Sequence, residues 1–148
     1  MLFKKNAKAT GKRPPADEKA VTIGRLGEDA AVDFLRKHGY TVIERNFRAG
    51  RNEIDIIATD KSYMVFVEVK SRTYRVEGEM PYGSPATAVT YDKQKRTLSA
   101  ANEYIRIRGS GGKQPRIDVI EVFLSPSPRF ADKKEVIKIN HIVNAFGA

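Results

Sequence analysis

Two carboxylates and a lysine stand at a spacing that can support metal-dependent chemistry. Asp55 and Glu68 have twelve residues between them, and Lys70 follows two residues after that glutamate. Paired carboxylates bind hard cations such as Mg²⁺ or Mn²⁺, which polarise a phosphate and lower the pKa of a bound water. A neighbouring ammonium group stabilises the charge that develops on the phosphate. These residue types favour metal-assisted phosphodiester hydrolysis, although an internal ion pair of Lys70 with either carboxylate explains them equally well.

The same residues interrupt an otherwise apolar strand. The segment Tyr63–Ser71 is apolar on both faces over most of its length, which is typical of a central strand covered on both sides. Met64 and Phe66 lie on one face, and Glu68 and Lys70 continue that row. Because a buried carboxylate costs several kcal/mol unless a cation compensates it, we expect a partner for Glu68.

The distance between the two carboxylates depends on the turn before this strand. Glu53–Thr59 reads as a second strand, joined to the third by a two-residue turn at Asp60-Lys61. That turn pairs Asp55 with Phe66 and makes Glu68 its diagonal neighbour on the same face. A turn one residue longer would put the two carboxylates on opposite faces of the sheet. The predicted site therefore requires a strand register that keeps both on one face.

The elements that must position these residues follow a simple order along the chain. Hydrophobic periodicity, turn residues and helix caps predict two helices and five strands. The helices are Thr22–His38 and Asp92–Arg106, and the strands are Thr41–Arg48, Glu53–Thr59, Tyr63–Ser71, Arg116–Leu124 and Glu135–Ile139. The order α-β-β-β-α-β-β predicts an α/β fold with a mixed sheet flanked by helices. The helical crossover predicts that the third and fourth strands are parallel.

Composition limits the protein class and the chemistry of any metal site. The chain has 148 residues, no cysteine and two histidines, so disulfides, thiol catalysis and thiolate-bound metals are excluded. The longest unbroken apolar stretch, residues 63–67, is far shorter than the ~20 residues of a membrane span. No apolar segment follows the first lysines as in a secretory signal. We therefore expect a cytoplasmic protein with no membrane contact.

The net charge predicts a polyanionic partner. The sequence has 27 Lys and Arg against 18 Asp and Glu, which gives +9. Residues 1–20 carry six of these basic residues and two acidic ones, with Pro14-Pro15 and little apolar content. We interpret 1–20 as a disordered basic arm and 21–148 as a single domain. The arm either contacts phosphates or only improves solubility, and DNA is the partner that this charge favours.

The motif around the two carboxylates resembles a known nuclease signature. Asp55 and the run Glu68-Val69-Lys70 are similar to the PD-(D/E)xK motif of restriction-endonuclease-like nucleases, and especially of archaeal Holliday-junction resolvases. The longer segment 24–146 resembles the YraN family of small bacterial proteins. The matching stretches are Gly24–Ala31, Glu53–Ala58, Val65–Arg72, the region of Ala88, Val89 and Lys93, Arg116–Ile120 and His141–Phe146.

The resemblance implies a restriction-endonuclease-like core and assigns roles to four residues. Asp55, Glu68 and Lys70 match the catalytic motif, and a Mg²⁺ or Mn²⁺ ion would be held by Asp55, Glu68 and Glu28. Glu28 matches the glutamate that resolvase-like proteins place on the first helix, although helical spacing alone allows it to face either the cleft or solvent. Ile54 replaces the proline of the motif, and neither this nor any other departure removes a proposed ligand.

Basic residues near the motif are candidates for phosphate contacts. Arg72 shares the face of Glu68 and Lys70, and we expect it to clamp a phosphate. The other candidates, for which a solvated surface position is an open alternative, are Arg48, Arg51, Lys93 and Arg96.

Together these features predict a Mg²⁺- or Mn²⁺-dependent endonuclease that acts on DNA, structured or branched rather than a short recognition sequence. Resolution of a junction needs two active sites, so a homodimer is consistent with this function. The alternative is a nucleic-acid-binding accessory module that keeps the fold without cutting. A third possibility is an adaptor whose basic arm docks on an acidic protein surface.

Overall fold

A five-stranded sheet with one helix on each face forms the fold. The computed structural model describes residues 16–73, 89–125 and 135–147. In chain order the elements are α1 (Ala16–Lys37), β1 (Thr41–Ala49), β2 (Asn52–Thr59), β3 (Tyr63–Thr73), α2 (Tyr91–Arg108), β4 (Gln114–Ser125) and β5 (Glu135–Ile142). The strand order is β1-β2-β3-β4-β5, and only β3 and β4 are parallel. The predicted fold class, element order and parallel pair are confirmed.

The two faces of the sheet carry separate hydrophobic clusters, because β3 is apolar on both sides. The cluster under α1 contains Ala31, Val32, Leu35, Ile56, Ala58, Val65, Val67, Ile120, Val122 and Leu124. The cluster under α2 contains Phe47, Ile54, Ile57, Met64, Phe66, Ala100, Ala101, Tyr104 and Ile117. The prediction of a central strand covered on both faces is confirmed, and the row of Met64 and Phe66 lies under α2.

The turn between β2 and β3 lies one residue further along the chain than the sequence predicts. Ile57 pairs with Phe66, and the Asp60 backbone N–H donates to the Tyr63 carbonyl at 3.1 Å. Lys61 and Ser62 are therefore the turn residues, and the predicted pairing of Asp55 with Phe66 is wrong. The register of the two strands therefore shifts by two residues rather than one, and Asp55 and Glu68 stay on the same face of the sheet.

An irregularity in β1 and β2 lies beside the motif. Asn46 has a positive φ of 54°, which interrupts the extended conformation of β1. The neighbouring pairs Arg45–Ile56 and Phe47–Ile54 place Asn46 across from Asp55. Ile54 and Ile56 consequently pack into different clusters, although strict alternation would put them on one face.

The first helix is longer at its N-terminus than the sequence predicts. α1 begins at Ala16 rather than Thr22, so it includes the last five residues of the predicted arm. The sequence ADEKA at 16–20 contains strong helix formers, which explains the extension. The rest of the arm, and the predicted loop over 74–85, lie outside the described residues. In the part of the chain that is described, neither helix is long and apolar enough to span a bilayer.

Candidate metal centre

Asp55 and Glu68 face each other where β2 and β3 stop pairing. The last paired residues of the two strands are Ile56 and Val67, and one further step in that register puts Asp55 opposite Glu68. At this point the Val69 backbone N–H donates to Asp55 Oδ2 at 2.8 Å. A side-chain oxygen thus replaces the backbone partner that a continuing ladder would provide, and it fixes the Asp55 carboxylate between the strands.

Both carboxylates resist ionisation in this position. Glu68 is 5% exposed, and burial together with the neighbouring Asp55 charge raises its pKa to about 7. Burial also raises the pKa of Asp55, against the opposing effect of the hydrogen bond from Val69. A buried carboxylate beside a half-buried one becomes stable in the charged form only when cations compensate the pair.

Two lysines from different elements provide such compensation. Lys70 Nζ, on β3, lies 3.6 Å from Glu68 Oε2, and Lys93 Nζ lies 3.8 Å from the same oxygen. Lys93 belongs to the first turn of α2, where its backbone N–H donates to the Thr90 side chain at 3.1 Å. The sequence placed Lys93 among possible phosphate contacts but not in this site, because its position depends on how α2 docks on the sheet.

Glu28 approaches the pair from α1. Burial, and secondly the Asp55 charge, raise the pKa of Glu28, whereas Arg45 and a hydrogen bond with the Asn46 side chain lower it. Arg45 Nη2 lies 3.7 Å from Glu28 Oε1. The Glu28 side chain is 21% exposed, and its ion-pair partner among the described residues is Arg45 rather than a lysine of the site.

The donor chemistry fits a hard divalent cation, although the carboxylates do not converge on a single point. Among the described residues, no three His, Asp or Glu side chains lie close enough together to hold one ion. Asp55 and Glu68 nevertheless place carboxylates opposite each other on neighbouring strands, and two ammonium groups already lie within 4 Å of a Glu68 oxygen. Oxygen-only donors of this kind suit Mg²⁺ or Mn²⁺. The third predicted ligand, Glu28, would have to leave Arg45.

The predicted phosphate contacts fall into two groups. Arg72 forms an ion pair with the buried Glu121 on β4, so a phosphate would have to compete with Glu121 for this guanidinium. The side chain of Arg48 is 73% exposed and lies 3.8 Å from Glu53, while Arg51 and Arg96 are exposed. The exposed three are accessible to a polyanion, and their role remains a prediction.

The structure also contains a buried polar network that the sequence analysis did not identify. Asp118 is fully buried and accepts hydrogen bonds from Arg116 at 2.7 and 2.9 Å and from the Asn144 backbone N–H at 2.9 Å. His141 Nε2 lies 2.7 Å from the same carboxylate, and Arg116 donates to the Tyr40 hydroxyl at 2.7 Å. Arg116 and Asp118 alternate on β4 with apolar residues, which is the signal that could have revealed the network. It fastens the C-terminal segment to the sheet.

Comparisons with known proteins give a consistent result. The family described as "Uncharacterised protein family UPF0102" matches residues 27–122, a range that contains Glu28, Asp55, Glu68, Lys70 and Lys93. A UPF0102 protein of Caldanaerobacter subterraneus subsp. tengcongensis is 42% identical over 125 residues, which cover 84% of this chain and 94% of the relative. One from Chloroherpeton thalassium is 41% identical over 126 residues, covering 85% and 94% respectively. Among solved structures, Pyrococcus furiosus SfsA in complex with Ca²⁺ is 16% identical with a TM-score of 0.45, and the match covers 78% of this chain and 63% of that one.

Proposed function

The chain belongs to the UPF0102 family, as its resemblance to the YraN family predicted, and we propose that it is a divalent-metal-dependent endonuclease that hydrolyses phosphodiester bonds in DNA. The observation that carries the proposal is the buried Glu68 opposite the half-buried Asp55, with two lysines at one Glu68 oxygen. An ion pair that only stabilised the sheet would need one lysine and no second carboxylate. Structured or branched DNA is the preferred substrate class, since one small domain presents basic residues that contact phosphates rather than base edges.

Each residue of the centre has a distinct role in this proposal. Asp55 and Glu68 would hold Mg²⁺ or Mn²⁺, and a cation bound there supplies Lewis-acid polarisation of the phosphate and an acidified water. The hydrogen bond from Val69 keeps the Asp55 carboxylate turned into the site. The Lys70 ammonium, held on the central strand, stabilises the negative charge that develops on the phosphate oxygens. Glu28 would complete the ligand set after separating from Arg45.

The second candidate is an accessory module that binds nucleic acid without cutting it. The engagement of Glu28 by Arg45 and Asn46 favours this candidate, because it leaves the ligand set incomplete as the side chains stand. Such a module would bind DNA through its exposed arginines and would not need Asp55 or Lys70. The two candidates therefore differ in how Asp55 and Lys70 variants behave.

Cleavage of a DNA panel tests the proposal. Single-stranded, duplex, flapped and four-way DNA would be incubated with Mg²⁺ or Mn²⁺, and DNA binding would be followed by fluorescence anisotropy. We expect Asp55→Asn and Lys70→Ala each to abolish cutting and to leave binding within about twofold, because they remove site chemistry rather than the basic surface. Lys61→Ala, an exposed turn lysine, is the matched control and should cut normally.

Two outcomes would contradict the proposal. Cleavage that survives both site variants would remove the carboxylate pair from the mechanism. A wild-type protein that binds DNA and never cuts it, at any tested metal concentration, would favour the accessory module.

A further inference from the structure

We propose that Lys93 is a second functional lysine of the carboxylate site, which occupies the cation position at Glu68 while the metal is absent and contacts the nucleic-acid phosphate once the metal is bound. The inference rests on the proposed function and adds to it a residue outside the motif. It follows from three features of the described residues: the convergence of two lysines, the charge of the site and the position of Lys93 on α2.

The convergence of Lys70 and Lys93 is more than Glu68 alone requires. Both ammonium groups lie within 4 Å of the same Glu68 oxygen, at 3.6 and 3.8 Å, and they arrive from β3 and α2 respectively. One ammonium is enough to pair with one carboxylate, so Lys93 brings a second positive charge to this oxygen from an element outside the motif strand.

The charge of the site explains why one lysine must change partner. Two carboxylates and two ammonium groups sum to zero without a metal, whereas a divalent cation between the carboxylates leaves a surplus of two positive charges. A divalent cation at the carboxylates repels the nearest ammonium group. It also binds the carboxylate oxygen with which that ammonium was paired. A phosphodiester brings one negative charge to the same place, so it can accept the displaced ammonium.

Lys93 is the lysine that we assign to the phosphate, because it comes from a helix and not from the motif strand. The two lysine side chains are equally accessible, 32% exposed for Lys93 and 31% for Lys70, whereas their shared partner Glu68 is 6% exposed. Lys93 lies in the first turn of α2, and the Lys70 backbone pairs with β4 in the middle of the sheet. The flexible four-carbon stem of Lys93 therefore allows its ammonium to reach a phosphate from the helix side of the site.

Mn²⁺ titration of the metal-free protein by calorimetry, without DNA, tests the first half of the inference. Removal of the competing ammonium in Lys93→Gln should tighten Mn²⁺ binding about fivefold at pH 8, a moderate effect for a charge that is partly exposed. Lys95→Gln is the matched control, because it removes the same charge from the same helix turn, where Lys95 lies over the Tyr91 ring instead. It should bind Mn²⁺ as the wild type does.

Single-turnover cleavage at saturating Mn²⁺ tests the second half. Lys93→Gln should cut at least about tenfold more slowly than Lys95→Gln, because a phosphate contact is lost. Tighter metal binding with slower cutting is a combination that a merely damaged site would not produce, since damage weakens both. Equal Mn²⁺ affinity in the two variants, or equal cleavage rates, would overturn the inference while leaving the proposed function intact. If the wild type bound no Mn²⁺ in an Asp55-dependent manner, the proposed function would fail together with the inference.

Discussion

At the scale of single residues, the ionised carboxylate pair is a source of instability that a bound divalent cation would remove. Glu68 is almost fully buried, and its closest charged neighbours include another carboxylate, Asp55, as well as the two lysines. A site of this kind favours function over stability, because the groups that would bind a metal are unfavourable to the fold while it is absent.

The pKa of Glu68 predicts how stability depends on pH. It is about 7 in the folded protein, against an ordinary value of 4.5 that applies when the chain is unfolded. Between these pH values the folded state binds more protons, so the metal-free protein loses stability as pH rises, and the loss is complete above the folded pKa. Glu68→Gln should therefore raise the free energy of unfolding at pH 8 by up to about 3 kcal/mol and change it little near pH 4.5.

Urea unfolding in the presence of a chelator measures this effect. Glu103→Gln serves as the control, because Glu103 pairs with Arg106 on the surface and its pKa is lowered rather than raised. The control should not gain stability at pH 8. Equal stability of Glu68→Gln and the wild type at pH 8 would show that the buried carboxylate carries no penalty.

The sequence identified part of the residue arrangement. Glu68 and Lys70 could be grouped from strand periodicity, and Asp55 could be added to them because the expected turn put it on the same face. Lys93 could not be added to them, because its position relative to Glu68 depends on the docking of a helix that begins 18 residues after Thr73. The pairing of Arg72 with Glu121 was missed for a similar reason: it joins neighbouring strands that are distant in sequence.

At the scale of elements, a glycine determines how closely α1 approaches β3. A methyl group at Gly27 would collide with the Ser71 hydroxyl, and it would still lie 3.1 Å from Ser71 Cβ if the hydroxyl turned away. Gly27 precedes Glu28, so the close approach of the helix also brings Glu28 toward Asp55. Gly24, one turn earlier, has no atom near its missing side chain.

These two glycines provide a matched test. Gly27→Ala should destabilise the protein by about 1–3 kcal/mol, since α1 must move away from the sheet. Gly24→Ala should stabilise it by about 0.5–1 kcal/mol through helix propensity. Ser71→Ala in the Gly27→Ala background should recover part of the loss, because it removes the hydroxyl from the contact. Chemical denaturation measures all three, and a Gly27→Ala protein as stable as Gly24→Ala would contradict the packing described above.

Element boundaries show where periodicity succeeds and where it fails. The five strands and the crossover helix were placed nearly correctly, because each has a clear apolar period between turn residues. The β2–β3 turn was shifted by one residue because Asp60 suits a turn on either side of that boundary. The positive φ of Asn46 leaves no signal in the hydrophobic periodicity of the sequence. The sequence therefore could not predict that Ile54 and Ile56 pack on opposite faces of the sheet.

At the scale of the whole molecule, positive charge is carried both by the first residues of the chain and by the rest of the sequence. Residues 1–15 carry five of the basic residues and no acidic one, and they lie outside the described structure. The rest of the sequence keeps a positive net charge, and the exposed arginines among the described residues include Arg48, Arg51 and Arg96. A polyanionic partner is therefore favoured both by the arm and by the domain, which supports DNA as the proposed substrate.

The metal centre is the claim on which both the proposed nuclease and the role of Lys93 depend. Anomalous diffraction from crystals of the full chain soaked in Mn²⁺ tests it most directly. We predict a single strong peak bonded to oxygens of Asp55 and Glu68, at about 2–2.5 Å from each, that disappears in Asp55→Asn crystals. An ordered structure at saturating Mn²⁺ with no peak at this pair, or with the same peak in Asp55→Asn, would contradict the metal centre.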